Sequence, residues 1–265
     1  MGRQRLLSML AVIAVAIGCG SGTPQDAQAT GPDERAGEPI VIAQATGGDS
    51  APEGGASVTG SVRFEGTPPE RERIRMSADP VCEQKHQSAV YKENVVVNDN
   101  GTLRNVFVYV KEGVQGSHPA PSEPVVLDQS GCGYTPHVFG VRVNQPLEIR
   151  NSDATLHNVN AKPSGNRPFN LAQPVLGMKT TKTFTEPEIM VPFKCNVHPW
   201  MSAYAGVVAH PFFGVTGEDG AFTISGLPAG DYVLEAWHEE YGTKTQPVSV
   251  PASGSASVEF AFSAN

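Results

Sequence analysis

Residues 188–210 read EIMVPFKCNVHPWMSAYAGVVAH. Runs rich in Ile, Val, Phe and Tyr flank a central segment, Cys195 to Met201, that contains Asn196, Pro199 and Trp200. The flanks read as strands and the centre as the turn between them. A strand sends alternate side chains to opposite faces. A turn instead lets Cys195, His198 and Met201, with two residues between each and the next, converge on one point. The stretch therefore predicts a donor-bearing turn at the end of a β-sheet.

Working outward, the same texture recurs. SVTGSVRFEG, ENVVVNDNG, LRNVFVYVKEG, EPVVLDQ, HVFGVRVNQPLEIRNSD and TKTFTEPEIMVPFKC are short β-favouring runs bounded by Gly, Asn, Asp or Pro. Asn100-Gly101 between two apolar runs is a hairpin signal. The chain has 28 Gly and 22 Pro in 265 residues, which suits many short strands joined by turns. An all-β sandwich follows. Glu70–Lys92 is more charged and is expected to carry a short helix. The formal net charge of −8 and the scattered basic residues argue against nucleic acid as a partner.

Thiolate, imidazole and thioether in one turn point to copper. Sulfur suits the cuprous ion and imidazole tolerates the cupric ion. Zinc would take Cys and His but gains little from Met. A second histidine is available in IRNSDATLHN, residues 149–158, where His157 is expected in a loop after a predicted strand, with Asn158 directly after it.

Asn151-Ser152-Asp153, then His157-Asn158, then Cys195-x-x-His198-x-x-Met201 resembles the cupredoxin family of plastocyanin- and amicyanin-like blue-copper proteins. The two-residue gaps match the shortest ligand loops of that family. The resemblance implies a cupredoxin-like Greek-key β-sandwich holding one copper ion on His157, Cys195 and His198, with Met201 as a long axial ligand. It implies that Asn158 ties the two ligand loops together, with Asn151 beside it. It also implies an exposed His198 in an apolar rim with Pro199 and Trp200, serving as the electron port. The likeness covers about Cys132–His210.

The N-terminus has Arg3 and Arg5, an apolar run from Leu6 to Ile17, and then Gly18-Cys19. This is the layout of an export signal, residues 1–19, and Cys19 after Ala-Ile-Gly resembles a bacterial lipobox. Export to the periplasm or cell surface with lipid on Cys19 is expected, the lipid being the only membrane contact. Residues 20–56, rich in Gly, Ser, Thr, Pro and Ala, read as a disordered tether. Residues 57–210 read as the copper-binding domain. Residues 211–265 resemble the carboxypeptidase-regulatory-like, transthyretin-type module through Thr216, Gly220, Phe222, Ile224, Leu227, Pro228, Gly230, Tyr232, Leu234 and Ala236. This unit is short and is open to sharing strands with the first, with residues 58–66 able to supply one.

With Cys19 lipidated and Cys195 on the metal, Cys82 and Cys132 remain, and a disulfide is their simplest use outside the cytoplasm. The alternative is a second metal site from Cys82, His86, Cys132 and His137. No Ser-His-Asp, paired-carboxylate or phosphate-loop arrangement stands out, so an electron carrier rather than an enzyme is expected. Its partner would be a redox protein such as a c-type cytochrome or a membrane oxidase. A copper carrier and a cell-surface structural module are the rival readings.

Overall fold

The computed structural model describes residues 55–264. The expected signal segment, Cys19 and almost all of the tether lie outside them. Within the described residues, no helix is long and apolar enough to cross a membrane. The chain order is β1 (Ala56–Glu65), α1 (Pro80–Gln84), β2 (Phe107–Glu112), β3 (Val125–Ser130), β4 (Gly133–Thr135), β5 (Val138–Arg142), β6 (Leu147–Asn151), β7 (His157–Ala161) and β8 (Phe169–Gln173). It continues with β9 (Lys179–Lys182), β10 (Glu188–Lys194), β11 (Ser202–Val208), β12 (Phe213–Val215), β13 (Ala221–Leu227), β14 (Gly230–His238), β15 (Gly242–Val250) and β16 (Ser255–Ser263). The described residues are all-β apart from the single short helix, which falls in the charged stretch where one was expected.

Two sandwiches are built from four sheets. The first pairs the sheet β4-β3-β6-β9 with the sheet β5-β11-β10-β7-β8. Leu127, Tyr134, Leu147 and Ile149 from one sheet meet Phe139, Val141, Val159, Val191, Phe193, Ala205 and Val207 from the other in one buried cluster. The second pairs β13-β1-β16 with β12-β2-β14-β15. Its core joins Val58, Val62, Phe222, Ile224 and Phe260 to Val108, Val110, Leu234, Ala236 and Val250. Strand pairing thus runs across residue 210. β1 lies parallel to β16 and antiparallel to β13, and β2 pairs with β12 and β14. Residues 58–66 supply a strand to the C-terminal sheet, and the first sandwich is inserted between β2 and β12.

Period-two alternation lets one strand serve two cores. On β2, Val108 and Val110 face the second sandwich, while Phe107 and Tyr109 face Val138, Met190, Val208 and Phe213 in a joining layer. Gly140 on β5 and Gly206 on β11 allow this close approach. A Cβ at Gly140 would stand 2.1 Å from the Phe213 ring, and one at Gly206 would stand 2.4 Å from Phe107. The inserted sandwich is thereby packed against the second one through this layer.

The run ENVVVNDNG forms a turn rather than a strand. Val97 and Leu103 make an isolated bridge, Gly101 N–H donates to the Asn98 carbonyl at 2.9 Å, and Gly101 takes the left-handed φ of 77°. The turn expected at Asn100-Gly101 is present, but the flanking ladder is short because the second arm turns its backbone to β1: Leu103 N–H donates to the Val62 carbonyl at 2.8 Å, and the Gly101 carbonyl accepts from Phe64 N–H at 3.0 Å.

Candidate metal centre

The turn predicted from KCNVHPWM closes between β10 and β11. Cys195 N–H donates to the Met201 carbonyl at 3.3 Å, and Met201 N–H donates to the His198 carbonyl at 3.0 Å. His198 N–H points at Cys195 Sγ, 3.3 Å away. This tight backbone brings Cys195 Sγ to 3.8 Å from His198 Nδ1. His157 arrives not from a loop, as expected, but as the first residue of β7, where pairing with Gln173 on β8 extends the strand to it. Its Nδ1 stands 2.9 Å from His198 Nδ1. One donor atom from each of His157, Cys195 and His198 lies within 4.8 Å of the others. Met201 is buried in the same core cluster as Cys195. All four residues are shielded from water, at 0%, 4%, 2% and 2% exposure for His157, Cys195, His198 and Met201.

Asn158 and Asn151 brace this arrangement. Asn158 Oδ1 accepts from Asn196 N–H at 2.6 Å and lies 3.4 Å from Cys195 Sγ, so it ties the β7 end to the donor turn. Asn151 Nδ2 donates to the Thr155 and Gln173 carbonyls, and its Oδ1 accepts from Asp153 N–H at 2.9 Å, which shapes the loop ahead of His157.

The far nitrogen of each ring is held by a carboxylate. His157 Nε2 lies 2.9 Å from Asp153 Oδ2, and His198 Nε2 lies 2.9 Å from Asp79 Oδ2. A carboxylate accepts, so each Nε2 must donate. A neutral ring with its proton on Nε2 presents Nδ1 as a bare lone pair. Two lone pairs aimed at one another across 2.9 Å repel, and a shared proton or a bound cation between them removes the repulsion. Burial alone would raise the Asp153 carboxyl, but His157, Lys85 at 2.6 Å and the N–H groups of Cys132 and Gly131 hold it far below the usual carboxylate range. Burial would lower His157 and raise Cys195. The hydrogen bond to Asp153 lifts the ring instead, and the His157 ring with the backbone N–H groups around Sγ brings the thiol down. The pocket favours a thiolate beside cationic charge, which is the environment a metal-binding cysteine needs.

His198 does not lie in an exposed rim. Asp79 caps α1, accepting from Val81 and Cys82 N–H at 2.9 and 3.3 Å, and the helix lies over the turn. Cys82 and Cys132 form the expected disulfide, which pins α1 to the β3–β4 connection. Cys82 Sγ sits 3.6 Å from His198 Nε2. Of the expected electron port, Pro199 is exposed and Trp200 half-buried, with its ring 5.1 Å from His198 and its Nε1 donating to the Cys132 carbonyl at 2.9 Å. The burial of His198 follows from 50 residues of chain closing back through the disulfide, which the local motif does not encode.

The alternative second metal site is not assembled. Its two cysteines are bonded to each other, His86 Nε2 donates to the Gly131 carbonyl at 2.7 Å, and His137 engages Glu239 and the Ser202 carbonyl. Sequence reasoning did not single out Asp79 or Lys85, and it met Asp153 only within the Asn151-Ser152-Asp153 run, without a role. Asp153 stands four residues before His157, and Asp79-Pro80 ahead of Cys82 is a helix-start signal. Both were available as clues, but only the fold shows which ring each carboxylate meets.

No protein-family model and no curated protein sequence matches this chain. Among solved structures it is similar to the Cu-containing nitrite reductase from Thermus scotoductus SA-01, with 24% identity over 37% of this chain and 25% of that one and a TM-score of 0.30. A mutant amicyanin in the oxidized state shares 24% identity over 32% of this chain and 81% of its own, with a TM-score of 0.29. The purple cupredoxin from Nitrosopumilus maritimus shares 18% identity over 32% of this chain and 97% of its own, with a TM-score of 0.27. The chain thus spans a quarter of the nitrite reductase and most of the two smaller proteins.

Proposed function

We propose that this chain binds one copper ion through His157 Nδ1, Cys195 Sγ and His198 Nδ1, with Met201 as the fourth donor, and carries single electrons. The observation that supports it is the pair of facing Nδ1 atoms beside a buried thiol, each ring fixed from behind by a carboxylate. Two imidazoles, a thiolate and a thioether suit copper in both oxidation states better than they suit zinc. When bound, copper would supply the one-electron chemistry. The chain's own residues supply rigidity. His157 and Cys195 sit at strand ends, Asn158 locks the two segments together, and the buried cluster around Met201 excludes water. Donors held this way move little between states, which keeps the barrier to electron exchange low. Within this proposal the protein is exported, anchored by lipid on Cys19, and meets a redox protein such as a c-type cytochrome or a membrane oxidase.

The test is copper titration of the chain followed by voltammetry. One equivalent bound with a reversible one-electron couple supports the proposal; a folded protein that takes up no copper refutes it. A second reading, a copper carrier, draws support from the cover that α1 places over His198. It predicts readily exchanged metal and a poorly reversible couple in the same experiment.

A further inference from the structure

The ligand rings are aimed from behind, and one of the two aiming groups comes from outside the sandwich that carries the donors. Asp79 belongs to the segment leading into α1, more than a hundred positions from His198 in the chain. Its two oxygens have separate tasks. Oδ1 accepts from Val81 and Cys82 N–H, at 2.9 and 3.3 Å. Oδ2 accepts from Thr155 Oγ1 at 3.0 Å and from His198 Nε2 at 2.9 Å. On the other ring, Asp153 Oδ2 accepts from Cys132 N–H at 2.7 Å and from His157 Nε2 at 2.9 Å. Its Oδ1 meets Gly131 N–H at 3.0 Å and Lys85 Nζ at 2.6 Å. Lys85 lies just past α1 and Cys132 is the disulfide partner of Cys82, so the segment that carries Asp79 also completes the surroundings of Asp153.

We propose that Asp79 is a positioning residue for the metal centre, with Asp153 its counterpart on the other ring. By accepting from Nε2, it fixes the His198 tautomer that leaves Nδ1 free for the metal, so helix α1 is a functional part of the site rather than a passive cover. Carboxylate partners behind metal-bound histidines fix tautomer and orientation in this way, and their loss costs on the order of 10–100-fold in metal affinity. The loaded-protein consequence rests on the copper reading above, whereas the tautomer claim does not.

The divided roles of the two oxygens make a specific test. In Asp79→Asn the capping oxygen stays with Val81 and Cys82 N–H, which need an acceptor, and the new amide N–H group faces His198 Nε2. A donor there forces Nε2 to accept and moves the ring proton to Nδ1, which removes the metal's lone pair. Asp79→Ala only frees the ring to take either tautomer. The full chain is prepared as wild type, Asp79→Asn and Asp79→Ala, with the disulfide intact. Imidazole nitrogen shifts are recorded by NMR on the metal-free proteins, and affinity is then measured with cupric ion. Wild type is expected to carry the His198 proton on Nε2, Asp79→Asn on Nδ1, and Asp79→Ala a mixture. Copper affinity is expected to fall about 10–100-fold in Asp79→Ala and further in Asp79→Asn, although the asparagine keeps the helix cap. An asparagine variant that retains the Nε2 proton, or that binds copper as wild type does, overturns the proposal. Should wild type bind no copper, the copper reading falls, and the nitrogen shifts still decide the role of Asp79.

Discussion

The cover over the site is fastened by one covalent bond, so removing the bond has a calculable effect. Cys82 and Cys132 are separated by 50 positions. Chain-entropy reasoning for a closed loop of that length gives about 4 kcal/mol of stabilisation, through restriction of the unfolded chain. The double variant Cys82→Ala with Cys132→Ala deletes the bond and keeps a Cβ at position 132, where φ is 55°. Backbone strain at that residue therefore cancels between variant and parent. What else holds α1 is a set of polar contacts: the Asp79 cap with its bonds to His198 and Thr155, the bond from His86 to the Gly131 carbonyl, and the ion pair from Lys85 to Asp153. These contacts do not replace the bond. In urea, with an m-value of about 2–3 kcal/mol/M, the unfolding midpoint should fall by roughly 1.3–2 M. Hydrogen exchange should place the largest loss of protection in residues 79–86 and in the 131–132 turn. A stability loss below about 1 kcal/mol, or protection unchanged at α1, would refute the reasoning that the disulfide is the main fastening of this segment.

Three further outcomes follow from particular residues. Gly206→Ala and Gly140→Ala each drive a methyl group into a buried phenyl ring, at 2.4 and 2.1 Å, and should each cost about 1–3 kcal/mol in thermal or chemical denaturation. Asp153→Asn removes the charge that faces Lys85 and His157 at a side chain with no exposure, and should cost about 3–5 kcal/mol by the same measurement. Burial pushes His238 down to about 4, and its Nε2 has no hydrogen-bond partner among the described residues. Between that value and the ordinary histidine range the unfolded chain holds a proton that the fold does not. Stability is therefore lost as pH falls through this window, at about 1.4 kcal/mol per pH unit. His238→Phe, which keeps an aromatic ring against Tyr241 and Phe262, should flatten that slope by one proton in denaturation curves between pH 4 and 6.5.

Much of the architecture was legible because it is local. Alternation along IMVPFKC and YAGVVAH marks β10 and β11, and the turn residues between them mark where donors converge. His157-Asn158 after a predicted strand was legible for the same reason. Phe222 with Ile224, and Tyr232 with Leu234, alternate along their runs and are buried in the second core. The less legible parts depend on contacts distant in sequence. β8 reads FNLAQ, with little to distinguish it from a loop, and it forms by pairing with β7. The parallel pairing of β1 with β16 joins the two ends of the described chain, and periodicity carries no information about partners. The burial of His198 is the plainest case. Pro199 and Trp200 look like an exposed rim in the motif, and only the disulfide and the Asp79 contact bring a helix down onto the ring.

The central claim is that His157, Cys195, His198 and Met201 form one copper site. Its most direct test is the visible and electron paramagnetic resonance spectrum of the chain titrated with cupric ion, compared with Cys195→Ser. The account predicts one equivalent bound with an intense thiolate-to-copper band that is lost in the serine variant. A folded protein that binds no copper, or a spectrum unchanged by the serine substitution, would contradict it.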